Sequence, residues 1–173
     1  MLVFAGTDGD DPVSRSAKLK ALQDIFAEPN ASALEMLPAD ALSKANAKRG
    51  IQLVINSHGN QDTFADMTPD QLYARLVSKG FQNGAFQSLH LIACNVGQQD
   101  QRGTIVSNFA HDLNLLFKQK LVDIALYAPR GLISYRLQTA TQSGESFKKV
   151  MAIVIRAPEK DYSLKDGMLR VMA

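Results

Sequence analysis

The chain of 173 residues contains one cysteine, Cys94, directly after the apolar run Leu89-His90-Leu91-Ile92-Ala93. His58 stands three residues beyond a second apolar run, residues 51–55, interrupted only by Gln52. A thiol is nucleophilic as its thiolate, and an imidazole near neutral pH can take up and return a proton. Together they are the minimum equipment for acyl transfer through a covalent intermediate. The other two histidines fit that role less well. His90 lies four residues before Cys94 in the same predicted strand, roughly 13 Å away at about 3.3 Å per residue. His111 falls opposite the apolar stripe of a predicted helix, where solvent surrounds it.

The elements around the pair give it a common location. Both apolar runs read as strands that stop abruptly, one at Asn56-Ser57-His58-Gly59-Asn60 and the other at Cys94-Asn95-Val96-Gly97. Between them Thr68-Pro69-Asp70 has the form of a helix cap with proline in the first turn, and Leu72, Leu76 and Val77 supply a buried stripe that ends at Gly80. A helix crossing between two strands makes them parallel and brings them side by side. In an open parallel sheet, reactive groups gather where loops leave the carboxyl ends of the strands. Two strands would thus deliver an imidazole and a thiol to one sheet edge.

The remaining segments continue the alternation. Leu2-Val3-Phe4-Ala5 reads as a first strand followed by a polar Asp- and Gly-rich turn. Residues 13–27 form a helix through Leu19, Leu22, Ile25 and Phe26, and residues 38–48 a second helix. A helix over residues 104–119, with the stripe Ile105, Phe109, Leu113 and Leu116, precedes a strand over 121–127. Residues 133–137 and 150–155 then read as antiparallel strands around Ser143-Gly144. This order predicts an α/β fold: a mostly parallel central sheet with helices on both faces, in three layers, plus a C-terminal β-hairpin. One domain spans residues 1–173, as suits this length.

Composition narrows the function classes. A single cysteine excludes an internal disulfide, a thiolate zinc cluster and a CxxC redox pair, and no metal site is expected. No apolar run approaches the roughly 20 residues of a membrane helix. No signal-peptide pattern is visible at the start, and the lack of a tail before the first strand suggests excision from a longer chain. The net charge of +2 from 19 basic and 17 acidic residues gives no reason to expect nucleic acid. The charge is nevertheless uneven: from Lys118 onward 10 Lys and Arg face 5 Asp and Glu, a balance of +5 that can attract an anion. The loop of residues 95–103 before a helix start lacks the spaced glycines of a nucleotide-binding loop.

The blocks IQLVINSHGN and SLHLIACNVG resemble the His-Gly and Ala-Cys blocks of clan CD, the caspase-fold cysteine peptidases that include caspases, gingipains, clostripain, separase and the autoprocessing domains of large bacterial toxins. The resemblance covers roughly residues 51–155 and is nearest to the toxin autoprocessing domains. It implies a caspase-like fold and a cysteine endopeptidase in which Cys94 attacks a peptide carbonyl and His58 protonates the leaving amine. The backbone N–H groups of Gly59 and Cys94 would bind the oxyanion, a task to which glycine is suited because it lets substrate backbone approach closely. Toxin members add an acid that orients the histidine; here Asp8 lies nearest the first strand, with Asp10, Asp11, Asp62 and Asp66 as competitors. By the same resemblance the segment Ala128-Pro129-Arg130-Gly131 would help select the residue before the cleavage site, with Arg130 reading an acidic side chain, whereas toxin domains accept leucine. Inositol hexakisphosphate activates the toxin domains, and Lys148, Lys149 and Arg136 near the predicted hairpin are the candidates to bind it.

The expected partners are a protein or peptide substrate and an inositol phosphate. The expected setting is the bacterial cytoplasm, or a host cytosol reached by a nonclassical secretion route. A different class of reading also fits: a noncatalytic caspase-like module that binds inositol phosphate or a protein. In that case Cys94 is a small buried hydrophobe and Ser57-His58-Gly59 only a turn.

Overall fold

The computed structural model describes residues 1–6, 11–46, 52–98 and 108–172. The strands at its centre are β1 (Leu2–Phe4), β2 (Ala31–Ala33), β3 (Gln52–Asn56), β4 (Ser88–Ile92) and β5 (Ala125–Pro129), with β9 (Met168–Arg170) at one edge. They form a six-stranded sheet in the order β2-β1-β3-β4-β5-β9. All neighbours in it are parallel except β5 and β9. A second, antiparallel sheet consists of β6 (Leu132–Gln142), β7 (Glu145–Arg156) and β8 (Asp161–Ser163). The predicted α/β architecture with a mostly parallel sheet and a C-terminal hairpin is present.

Alternation along the central strands explains the layers, because successive side chains point to opposite faces. Val3, Leu53, Ile55, Leu89, Leu91 and Leu126 pack on one face with Leu72 and Leu76 of α2 (Pro69–Ser78) and with Leu113 and Phe117 of α3 (Phe109–Gln119). Leu2, Val54 and Ile92 pack on the other with Leu22 of α1 (Pro12–Phe26) and with Ile153 and Ile155 of β7. The hairpin sheet therefore shares the α1 face of the central sheet. Each main helix starts on a side-chain cap: Asp11 accepts from Ser14 N, Thr68 from Gln71 N in a complete capping box, and Asn108 from His111 N.

Two expectations need correction. Residues 38–46 form successive turns rather than a helix, with Ala41 N bonded to Pro38 O, Ser43 N to Asp40 O and Asn46 N to Ser43 O. Only Leu42 of that stretch is buried, so no repeated apolar stripe pulls it into a helix. The strand expected over 121–127 begins at Ala125, because Leu121, at φ 56°, turns the chain out of α3. The C-terminal tail holds β8, a single turn α4 (Leu164–Gly167) and β9, which no pattern in the sequence announced. The parts of the predicted 38–48 and 104–119 helices at 47–48 and 104–107 lie outside the described residues.

Candidate functional site at the ends of two parallel strands

Strands β3 and β4 are hydrogen-bonded neighbours in parallel register, with Asn56 beside Ile92 at their carboxyl ends. Ser57 N and Asn56 Nδ2 both donate to Ile92 O, at 3.1 and 3.0 Å, which clamps the two strand ends together just before they diverge. His58 and Cys94 then line one small cavity of about 100 Å³ with Lys18, Asn56, Ser57, Ile92, Ala93, Ile133 and Tyr135. The sheet topology thus brings the predicted histidine and cysteine together. His58 is exposed, its loop closed by the bond from Ala65 N to His58 O at 2.8 Å.

Cys94 begins a turn that depends on the connection between β5 and β6. Asn95, at φ 59°, occupies the left-handed region that asparagine tolerates, and its N–H donates to Gly131 O at 3.0 Å. Gly97 N donates to Pro129 O at 3.1 Å. Cys94 Sγ accepts from Ile133 N at 3.3 Å and lies 3.6 Å from Ile133 O. The half-buried sulfur is therefore held by the backbone of β6.

Gly59 sits against the same turn. A Cβ at this position would lie 2.8 Å from Val96 Cγ1 and 2.9 Å from Ala93 Cβ, so glycine is required for the His58 loop to close on the Cys94 loop. Ser57 Oγ is buried without a hydrogen-bond partner. It lies on the side of Gly6, whose own Cβ would stand 3.4 Å from it.

Other predicted site residues have different surroundings. Asp8 and Asp10 lie outside the described residues. Asp11 caps α1 and pairs with Lys148 at 3.6 Å, while Asp62 and Asp66 are exposed and line no part of the cavity. Arg130 is also absent from that lining: its Nη1 donates to Tyr162 Oη at 3.0 Å and its guanidinium stacks 4.3 Å from the Tyr162 ring centroid, with Glu159 3.6 Å away. The bond from Tyr162 Oη holds the Glu159 carboxyl below its ordinary range and raises the Tyr162 phenol above its own. Gly131 is buried, and a Cβ there would lie 2.2 Å from Arg156 O, so this glycine permits the close crossing of two chains.

The three candidates for a polyanion do not converge. Lys148 donates to Ser14 Oγ at 3.1 Å as well as pairing with Asp11, on the face of the hairpin that meets α1. Arg136 and Lys149 are exposed, and register places them on the opposite face, with Arg136 beside Ala152 and Lys149 beside Gln138. His111 is half-buried beside Asp112, rather than fully solvated as its helix position suggested.

Lys18, Asn56 and Tyr135 at the site were not anticipated. Asn56 Nδ2 donates to Tyr135 Oη at 3.3 Å, and Lys18 Nζ lies 5.0 Å from the centroid of the Tyr135 ring. One signal was available: Lys18 is midway between Ser14 and Leu22, both buried, on the sheet-facing stripe of α1. A charge at such a position needs a reason. Among the described residues no group of His, Cys, Asp and Glu is placed to hold a metal ion, and no helix is long and apolar enough to cross a membrane. Protein-family models give no match to the sequence, and no curated protein is significantly similar to it.

Proposed function

We propose that this chain is a caspase-like cysteine peptidase in which Cys94 is the nucleophile and His58 the proton carrier. One observation carries the reading: both side chains line one cavity at the carboxyl ends of adjacent parallel strands. The thiolate of Cys94 attacks the scissile carbonyl, and the sulfur–carbon bond forms as the carbonyl π electrons move to oxygen. His58 delivers a proton to the leaving amine as the carbon–nitrogen bond breaks, then deprotonates the water that releases the acyl group. The N–H groups of Gly59 and Cys94 receive the oxyanion, and loss of one such donor costs about 3 kcal/mol of transition-state stabilisation. Asp8 orients His58. The N–H of Ile133 donates to the Cys94 sulfur and fixes its position.

Inositol hexakisphosphate acts as an activator through the exposed face that carries Arg136 and Lys149. The engagement of Cys94 Sγ by the Ile133 backbone favours a second reading, a noncatalytic caspase-like module that binds a polyanion or a protein, with the thiol serving as a contact between loop and strand.

Alkylation separates the two. In the peptidase, iodoacetamide labels Cys94 near neutral pH faster than a free model thiol, and His58→Ala slows it; labelling no faster than the model thiol sinks the claim. Mapping new N-termini in a proteome treated with wild type or Cys94→Ala then tests peptide cleavage itself.

A further inference from the structure

The hairpin leaves one strand edge open. β7 pairs with β6 from Glu145 to Arg156, but on its other side β8 meets only Val154, Ile155 and Arg156. Ser143 and Gly144 join β6 to β7 with φ of 53° and 80°, the two positive values of a tight hairpin turn whose flanking residues, here Gln142 and Glu145, bond to each other. Backbone direction alternates from there. Glu145, Phe147 and Lys149 turn their N–H and C=O groups toward β6, and Ser146, Lys148 and Val150 turn theirs outward. Among the described residues no backbone group meets those outward ones. The open edge faces α1 across a groove of about 850 Å³, lined by the five consecutive residues from Ser146 to Val150 and by one stripe of α1 between Pro12 and Asp24. Side chains alternate across a strand, so consecutive residues line a groove only when it follows the strand's edge.

We infer that this groove binds an extended segment of a partner protein as an added β-strand, and that the segment alternates apolar and acidic residues. The outward backbone groups supply the ladder, while pockets for alternate side chains supply selectivity. The apolar half of the pattern comes from α1, which presents the exposed Val13 and the small side chains of Ala17 and Ala21 to the groove. The acidic half comes from charge. The lining holds Lys20, Lys148 and Lys149 against Asp24. Lys20 pairs with Asp24 and Lys148 with Asp11, which leaves Lys149 without a charged partner among the described residues, on the hairpin face away from α1. Every second side chain of an added strand stands on that face. The lysines also disfavour a second copy as the occupant: antiparallel pairing of two β7 edges sets Lys148-Lys149 against itself, and like charges across a ladder destabilise it. Met151, skipped in the β6–β7 register, ends the regular edge. The bound segment is therefore about five residues, roughly 16 Å at about 3.3 Å per residue. The groove shares no residue with the Cys94 cavity, so the site stands whether or not the thiol is catalytic.

The probe is a fluorescent peptide of alternating valine and glutamate, titrated against the full chain by anisotropy, with a valine–lysine peptide as the control. The glutamate peptide is expected to bind at least about fivefold more tightly, the factor one close charge pair supplies in water, and Lys149→Glu should remove that preference. Amide exchange followed by NMR reads the added ladder directly. Ser146, Lys148 and Val150 should exchange rapidly in the free chain and slow by about tenfold or more with peptide bound, while Phe147 and Lys149, already bonded to β6, change little. Ser146→Pro removes one outward donor and leaves the β6 ladder intact, so it should weaken binding without lowering the thermal midpoint appreciably. Methylating alternate backbone nitrogens of the peptide should abolish binding in one pattern and spare it in the other, since only every second N–H of an added strand faces β7. Equal effects of the two patterns, no protection of the three outward amides, or no binding at millimolar peptide overturns the strand addition. A valine–lysine peptide that binds as tightly overturns the acidic assignment. A free chain that dimerises with those amides already protected overturns the inference too, because a second copy then covers the edge.

Discussion

His90 should make the fold sensitive to mild acid. Its ring lies in β4 on the α1 face of the sheet, stacked on Tyr127 at 4.7 Å between centroids and 7° between planes, with the Phe26 ring edge-on at 5.2 Å. Ser88 Oγ, 3.2 Å from Nε2, is its hydrogen-bond partner. Burial among these groups disfavours the imidazolium and holds its pKa at about 4, against an ordinary 6.5. The unfolded chain therefore binds a proton near pH 6.5 that the folded chain does not accept until about pH 4. Within that window the unfolded state carries more protons, so stability rises with pH and is lost as pH falls from 6.5 to 4. Below pH 4 both states are protonated and this group removes no more. At about 1.4 kcal/mol per pH unit the full window is worth at most about 3 kcal/mol. Because the ring is only partly buried, solvent screening reduces the expected loss to about 2 kcal/mol. Urea unfolding followed by circular dichroism at pH 7, 6, 5 and 4.5 measures it. His90→Phe keeps the aromatic stack but cannot titrate, so its stability should stay nearly flat over the same range. Parallel losses in wild type and His90→Phe would refute the assignment.

Three further outcomes follow from the same contacts. Gly59→Ala places a methyl against Val96 and Ala93, so it should lower stability by about 1–3 kcal/mol, seen as a reduced thermal midpoint, and slow alkylation of Cys94 by displacing its turn. Ser57→Ala removes a buried hydroxyl without a partner and should raise stability by about 1 kcal/mol in urea titrations; a loss of that size would mean that the hydroxyl is satisfied after all. The bonds from Ser14 to Asp11, with Lys148 as a lesser contributor, hold the Asp11 carboxyl at about 2 against an ordinary 3.8. Its contribution is present above pH 3.8 and is lost between there and pH 2, below the His90 window. Asp11→Ala should abolish that loss and raise amide exchange in the first turn of α1, while an unchanged exchange rate at Ser14 would refute its capping role.

The central sheet was legible because parallel strands buried on both faces read as continuous apolar runs, and residues 51–55 and 89–93 are such runs. His58 and Cys94 were legible for a related reason: each follows its run closely, so strand adjacency alone brings them together. Contacts made across long sequence separations left no comparable mark. Ile133 meets Cys94 through its backbone, which any residue could provide, and Tyr135 meets Asn56 only because the hairpin lies on the α1 face. Arg130 illustrates the same point. The resemblance suggested a substrate contact for it, while Tyr162 and Glu159, about thirty residues later, engage its guanidinium. Lys148, likewise, belongs with Arg136 and Lys149 by composition, yet strand alternation turns it toward Asp11 while its neighbour faces away. A charge near a candidate site therefore becomes informative only once its face and its partner are known.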